Sequence, residues 1–200
     1  MTDIQADAAA GTATLPEPGT WTIDSMHSFV LFTVEHFTVA LAQGITAGPQ
    51  GTITIAPDPL SSSVQASIDA ATITTASTMR DERLRGPDVL DVTKYPTIDY
   101  SSSGLTETGP GRYTVNGDLT LHGVTRPVAL DLTVRGVITD TWGKTRMGLA
   151  ATATIKRSDF DVLKFGHVAL AAGGFMVPDA LRITLAIEAT RDEEAAAQEG

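Results

Sequence analysis

The chain has 200 residues, 42% of them hydrophobic, which is enough to bury a core within one domain and too much for a wholly disordered polymer. Lys and Arg number 14 against 24 Asp and Glu, a formal net charge of −10 that repels phosphate backbones and sets nucleic acid aside as a partner. There is no cysteine, which removes disulfides, thiolate nucleophiles and thiolate metal ligands together.

Residues 1–18 read as a flexible tail of small and polar residues with Pro16 and Pro18. The segment has neither a basic start nor a continuous apolar stretch, so it does not resemble a secretory signal. No apolar run approaches the roughly 20 residues that cross a bilayer as a helix. A cytoplasmic location without a membrane span is the expectation.

From Trp21 to Phe37 the pattern becomes that of a strand preceded by a turn. Val30, Phe32 and Val34 fall on one face and Leu31, Thr33 and Glu35 on the other, the period of a half-buried β-strand. Asp24-Ser25-Met26-His27-Ser28 ahead of it is rich in side chains that bond nearby backbone. Ala47–Gly51 breaks the chain and Thr52–Ile55 alternates again. Pro57-Asp58-Pro59 turns it, and Val64, Ala66 and Ile68 mark a third strand extending to about Thr75.

The pattern changes once. Thr78–Asp81 opens a short helix, with Thr78 as the capping side chain and Asp81 in the positive first turn; Met79 and Leu84 form its apolar side and Gly86-Pro87 ends it. A piece of this size suits a lid over one end of a sheet.

Strands then resume. Ile98 and Tyr100 share a face, as do Tyr113, Val115, Leu119 and Leu121, with Gly117 a candidate bulge. His122–Thr125 turns into Val128, Leu130, Leu132 and Val134. Thr141–Lys144 turns into Met147, Leu149, Ala151, Ala153 and Ile155. A Gly-rich connection from Asp161 to Ala180 leads to Leu181, Ile183, Leu185 and Ile187, and residues 191–200 form an acidic tail. The fold class is therefore all-β, with about eight antiparallel strands and one helical insertion in a domain spanning residues 19–190. Closing into a barrel would remove the exposed edges of such a sheet, and a sandwich satisfies the same periodicity.

Several stretches taken together resemble the YceI-like, polyisoprenoid-binding proteins. They are Trp21-x-Ile23-Asp24-x-x-His27-Ser28 and Phe32-x-Val34-x-His36, then Thr75 with Arg80-Asp81-x-x-Leu84-Arg85. Tyr95-Pro96-x-Ile98-x-Tyr100 follows, then Gly117-Asp118-Leu119-Thr120-Leu121-His122-Gly123-Val124-Thr125-Arg126-Pro127-Val128, and Arg157-x-Asp159-Phe160. The resemblance covers roughly residues 19–190 with the motifs in family order. It implies a lipocalin-like antiparallel β-barrel with a helical segment near one end, and a polyisoprenoid or isoprenoid quinone held in the lumen. It implies no catalytic residue and no cofactor. The chain departs from the family pattern at Val89-Leu90, where a Phe pair is usual, at Asp161, where Gly is usual, and at Glu82-Arg83, where a His is usual near the helix. These departures bear on lumen width and ligand length.

An isoprenoid offers almost only apolar surface, and each buried methylene contributes about 0.8 kcal/mol. The protein must then supply a long, dry, inward face. Val30, Phe32, Val34, Ile98, Tyr100, Leu119, Leu121, Leu130 and Leu132 are the candidate lipid-binding residues, and a filled lumen of ordinary core is the alternative for each. A filled barrel would act only as an interaction module.

The polar residues point less clearly to chemistry. His27, His36, His122 and His167 supply zinc-ligand types, but their spacing matches no metal motif, so hydrogen-bonding roles are expected. Asp24, His27 and Ser28 supply the types of a hydrolytic triad, but sequence adjacency does not make triad geometry and no G-x-S-x-G elbow occurs. Their expected role is to secure the turn before the strand. Arg80 with Asp81, and Arg157 with Asp159, are expected to fix the helix and the barrel end if buried. The resulting expectation is a non-enzymatic lipid-binding barrel, with a His- or metal-dependent enzyme acting on an isoprenoid or quinone as the rival. A homodimer is the expected assembly.

Overall fold

The computed structural model describes residues 15–162 and 176–192. Ten strand segments follow in order: β1 (Gly19–Ile23), β2 (Phe29–His36), β3 (Ala40–Thr46), β4 (Gln50–Ile55), β5 (Ser63–Asp69), β6 (Thr97–Gly109), β7 (Arg112–Leu121), β8 (Val124–Thr139), β9 (Thr145–Lys156) and β10 (Ala180–Arg191). One α-helix, α1 (Thr78–Arg85), lies between β5 and β6. All pairings are antiparallel, and the sheet runs β1-β4-β5-β6-β7-β8-β9-β10 and closes through β1 on β10. This is a barrel, not a sandwich, and closure satisfies the ladder groups that an open sheet would leave exposed.

The eight expected strands become ten because two positions in the wall are each split. β10 carries β1 along residues 189–191 and β2 along residues 182–186, so β1 and β2 are successive halves of one neighbour. β3 pairs with β2 as β4 pairs with β1, making the second split position. The two breaks lie against each other: a Cβ on Gly48 would fall 2.0 Å from the Ser25 carbonyl oxygen, so only glycine permits this approach. The alternation of Val30, Phe32 and Val34 covers β2, whereas β3 carries no such signal, because Ala40, Ala42 and Gly44 have little β-propensity.

Short turns set the other boundaries. His122 and Gly123 both take positive φ, 52° and 73°, in the two-residue connection between β7 and β8. The Asp140 carboxylate accepts from the Trp142 and Lys144 amides and forms the turn into β9. β5 ends at Asp69 rather than near Thr75, since the Asp69 carboxylate accepts from the Ala71 amide and starts a 3-10 turn at Ala70–Thr72. The irregularity expected at Gly117 lies on the facing strand, between Ser102 and Leu105 of β6.

The buried side chains form two clusters. Trp21, Ile23, Ile53, Ile55, Tyr113, Val134, Met147, Leu149 and Ala189 pack together in one. Ile73, Val89, Leu90, Leu121, Ile155, Phe160 and Val162 pack in the other, where α1 and the loop after it meet the barrel. The strand registers place the clusters at opposite ends, so the inward side chains between them are free to line a lumen.

Candidate functional site

The inward faces of the strands enclose a cavity of about 310 Å³, within the range of small-ligand sites. All nine residues singled out from the sequence line it: Val30, Phe32 and Val34 from β2, Ile98 and Tyr100 from β6, Leu119 and Leu121 from β7, and Leu130 and Leu132 from β8. Eight of them are only half-buried, and Leu121 alone is buried. The lumen is therefore open rather than filled.

The wall includes further residues. Leu181, Ile183, Leu185 and Ile187 of β10 alternate as cleanly as the chosen strands and line the same space. Ala66, Ala151 and Ala153 contribute room rather than contact area. Leu84, Val89 and Leu90 reach the cavity from α1 and its following loop, so the insertion covers one end as expected. The Phe pair usual in the resemblance is replaced by two aliphatic side chains that are themselves buried, at 2% and 6% exposure.

Few polar groups approach the lumen. The Tyr100 hydroxyl lies 3.1 Å from the Val115 carbonyl and 3.0 Å from that of Val128, close enough for its one hydrogen to be shared between them. Burial, reinforced by the charge of Asp118, pushes this phenol up to about 12, so it stays protonated and a donor at neutral pH. The Thr46 and Ser102 hydroxyls are buried with no hydrogen-bond partner among the described residues. A ligand rich in polar groups would lose its water here and gain few bonds in exchange, whereas an apolar chain loses nothing of that kind.

The end covered by α1 is secured by polar contacts at its rim. Ser77, not Thr78, occupies the N-cap position, and its side chain makes no capping bond. Asp81 is buried and instead reaches back to accept from the Thr75 amide at 2.8 Å and from the Thr74 hydroxyl at 2.7 Å, with the Thr75 hydroxyl as a third donor. Those bonds, led by the Thr75 hydroxyl, hold its carboxyl below the ordinary Asp value. Arg80 does not pair with it: the Arg80 guanidinium is exposed and donates to the Thr75 hydroxyl and carbonyl. Arg85 donates to the Ile73 carbonyl at 2.6 Å. Met79 is 81% exposed, so of the expected apolar side only Leu84 faces inward.

Arg157 likewise does not pair with Asp159. It is 2% exposed and donates to the carbonyls of Pro178, Val177 and Val162, tying the turn after β9 to the segment leading into β10. Burial lowers its pKa, with the charge of Asp179 opposing.

The Asp24–Ser28 turn is structural in the way its composition suggested. His27 Nδ1 lies 2.8 Å from the Asp24 carboxylate, and the Ser28 hydroxyl donates to the Glu188 carbonyl and accepts from the Glu188 amide. Ser28 thus engages the backbone of β10 rather than His27, so Asp24, His27 and Ser28 do not form a nucleophile–base relay. Among the described residues, Asp24, His27 and Glu188 are close enough to offer ligand atoms to a metal, but Arg146 already bridges both carboxylates and binds Asp140 as well. His122 stacks edge-on against Tyr95 and contacts the Phe160 carbonyl, His36 packs beside Phe37, and His167 lies outside the described residues.

Comparison with known proteins agrees with this architecture. Residues 21–189 match the YceI-like domain family. A UPF0312 protein of Ectopseudomonas mendocina (strain ymp) is 34% identical over 139 residues, which cover 69% of this chain and 73% of that protein. The crystal structure of Burkholderia cenocepacia BcnA shares the fold with a TM-score of 0.70 at 23% identity, covering 83% of this chain and 98% of BcnA. A polyisoprenoid binding domain from Saccharophagus degradans, implicated in plant cell wall breakdown, does so with a TM-score of 0.68 at 18% identity, covering 88% and 100% of the two chains. With the motifs in order along one closed barrel, this chain belongs to the YceI-like family.

Proposed function

We propose that this protein binds a polyisoprenoid, or an isoprenoid quinone through its chain, inside the barrel, and that it works as a carrier or store. The observation that carries the reading is the enclosed cavity with its almost wholly apolar lining. Val30, Phe32, Val34, Ile98, Tyr100, Leu119, Leu121, Leu130 and Leu132 are the proposed contact residues. Apolar burial sets affinity, so a chain of many methylenes binds tightly after its ordering cost has been met. The polyisoprenoid binding domain of Saccharophagus degradans has the same fold, which supports the ligand class. Release would involve α1 and the loop bearing Val89 and Leu90, which cover one end of the lumen.

Organic extraction of freshly purified protein, analysed by mass spectrometry and combined with titration of added prenols, tests the reading. A stoichiometric isoprenoid, or saturable prenol uptake, is expected. An empty extract together with no prenol binding would overturn it.

A further inference from the structure

Two aromatic side chains line the cavity, Phe32 on β2 and Tyr100 on β6. Rings at such positions ordinarily project across a small barrel and fill it. Here each ring lies against a glycine on the neighbouring strand. A Cβ built on Gly44, the direct cross-strand partner of Phe32, would fall 2.3 Å from both Cε1 and Cζ of that ring. A Cβ on Gly117 would fall 2.6 Å from Cζ and from Oη of Tyr100. The ring edges therefore occupy the space in which any other residue would place its first side-chain carbon. The Tyr100 hydroxyl, bonded to wall carbonyls, holds its ring there.

We infer that the Phe32–Gly44 and Tyr100–Gly117 pairs set the bore of the lumen and thereby select the chains it admits. With any side chain at Gly44 or Gly117, the ring must retreat by about 1 Å or more to reach ordinary contact distance. The wall bounds it on the outer side, so the retreat is into the lumen. Methyl branches make an isoprenoid thicker than a straight alkyl chain, and a narrowed bore penalises the branched chain first. The choice of ligand by this route rests on the carrier reading; the control of bore does not.

Gly44→Ala is the direct test, because the three atoms nearest the added carbon all belong to side chains, two in the Phe32 ring at 2.3 Å and the Thr75 methyl at 2.9 Å. At Gly117 the Ser101 carbonyl oxygen also lies 2.5 Å away, so Gly117→Ala risks displacing a strand. Affinities for geranylgeraniol and hexadecanol, alcohols of equal main-chain length differing in methyl branching and unsaturation, are measured on wild type, Gly44→Ala and Gly44→Ala/Phe32→Leu, each first shown to melt cooperatively. The expected result is a shift of roughly tenfold against the prenol in Gly44→Ala, with return towards wild type in the double variant. An unchanged affinity ratio in Gly44→Ala would overturn the inference. Crystal structures under xenon pressure give a second readout without any lipid, and a loss of xenon volume beside a displaced Phe32 ring is expected. If wild type binds neither alcohol the carrier reading fails, and equal xenon volumes in wild type and Gly44→Ala would separately overturn the bore inference.

Discussion

At the scale of single residues, the molecule separates side chains that hold the barrel from side chains that only line it. Phe160 is 1% exposed within the packed end cluster, whereas Leu130 is half-buried with open lumen before it. Phe160→Ala leaves a cavity among packed neighbours and is expected to cost about 3–5 kcal/mol. Leu130→Ala removes contacts on one side only and is expected to cost about 1 kcal/mol. Chemical denaturation of both variants checks this, and equal losses would mean that Leu130 packs as core. The alternation of β8 identified Leu130 as inward, but Phe160 follows no period, since a single 3-10 turn after β9 buries it.

At the scale of elements, the breaks between strands are held by side chains whose partners are remote in sequence. The Asp24–Ser28 turn is fastened to β10 through Ser28 and to β9 through Arg146, which also engages Asp140 and Glu188. The His27 hydrogen bond, with Arg146 and the Met26 amide adding to it and burial opposing, lowers the Asp24 pKa to about 2. The depressed value gives stability that is fully present above the unfolded pKa near 4 and lost as pH falls through about 2. Asp24→Asn should therefore be less stable than wild type at pH 7, by roughly 1 kcal/mol once solvent screening is allowed for. The gap should close between about pH 4 and pH 2, and thermal melts across that range measure it; a gap that persisted at pH 2 would show that the carboxylate charge is not its source. The polar composition of the turn was legible, but Arg146 and Glu188 were not, because strand pairing alone brings β9 and β10 beside it. The insertion follows the same logic: a short helix ending at Gly86-Pro87 was readable, though Ser77 and not Thr78 is its N-cap, while its anchoring through Asp81 depends on where Thr74 is held by the bridge from Ile45.

At the scale of the whole molecule, closure couples the ligand to stability. Every strand contributes to one lumen, so an apolar chain lodged there would contact β2, β6, β7, β8 and β10 together and would be lost when the barrel opens. A ligand that binds only the folded barrel stabilises it by about 2.7 kcal/mol at a free concentration of about 100 Kd. For a domain of this size that corresponds to a rise in Tm of roughly 5–10 °C. Differential scanning calorimetry of delipidated protein with and without a saturating prenol checks it, and an unchanged Tm would count against burial of the chain inside the barrel.

The sequence by itself determined the faces of most strands, most turns, the helical insertion and the shared inward face of the nine positions, because period-2 alternation is a local property imposed by the pleat. It also held the ordered motifs by which the family is known. Only the tertiary structure decided barrel over sandwich, the splitting of two wall positions, and an open lumen rather than a filled one. The reason is that closure and bore depend on residues apposed across strands. Gly117 reads as a candidate bulge and Gly44 carries no signal in one dimension, and both become spaces for Tyr100 and Phe32 only when the neighbouring strands are laid beside them.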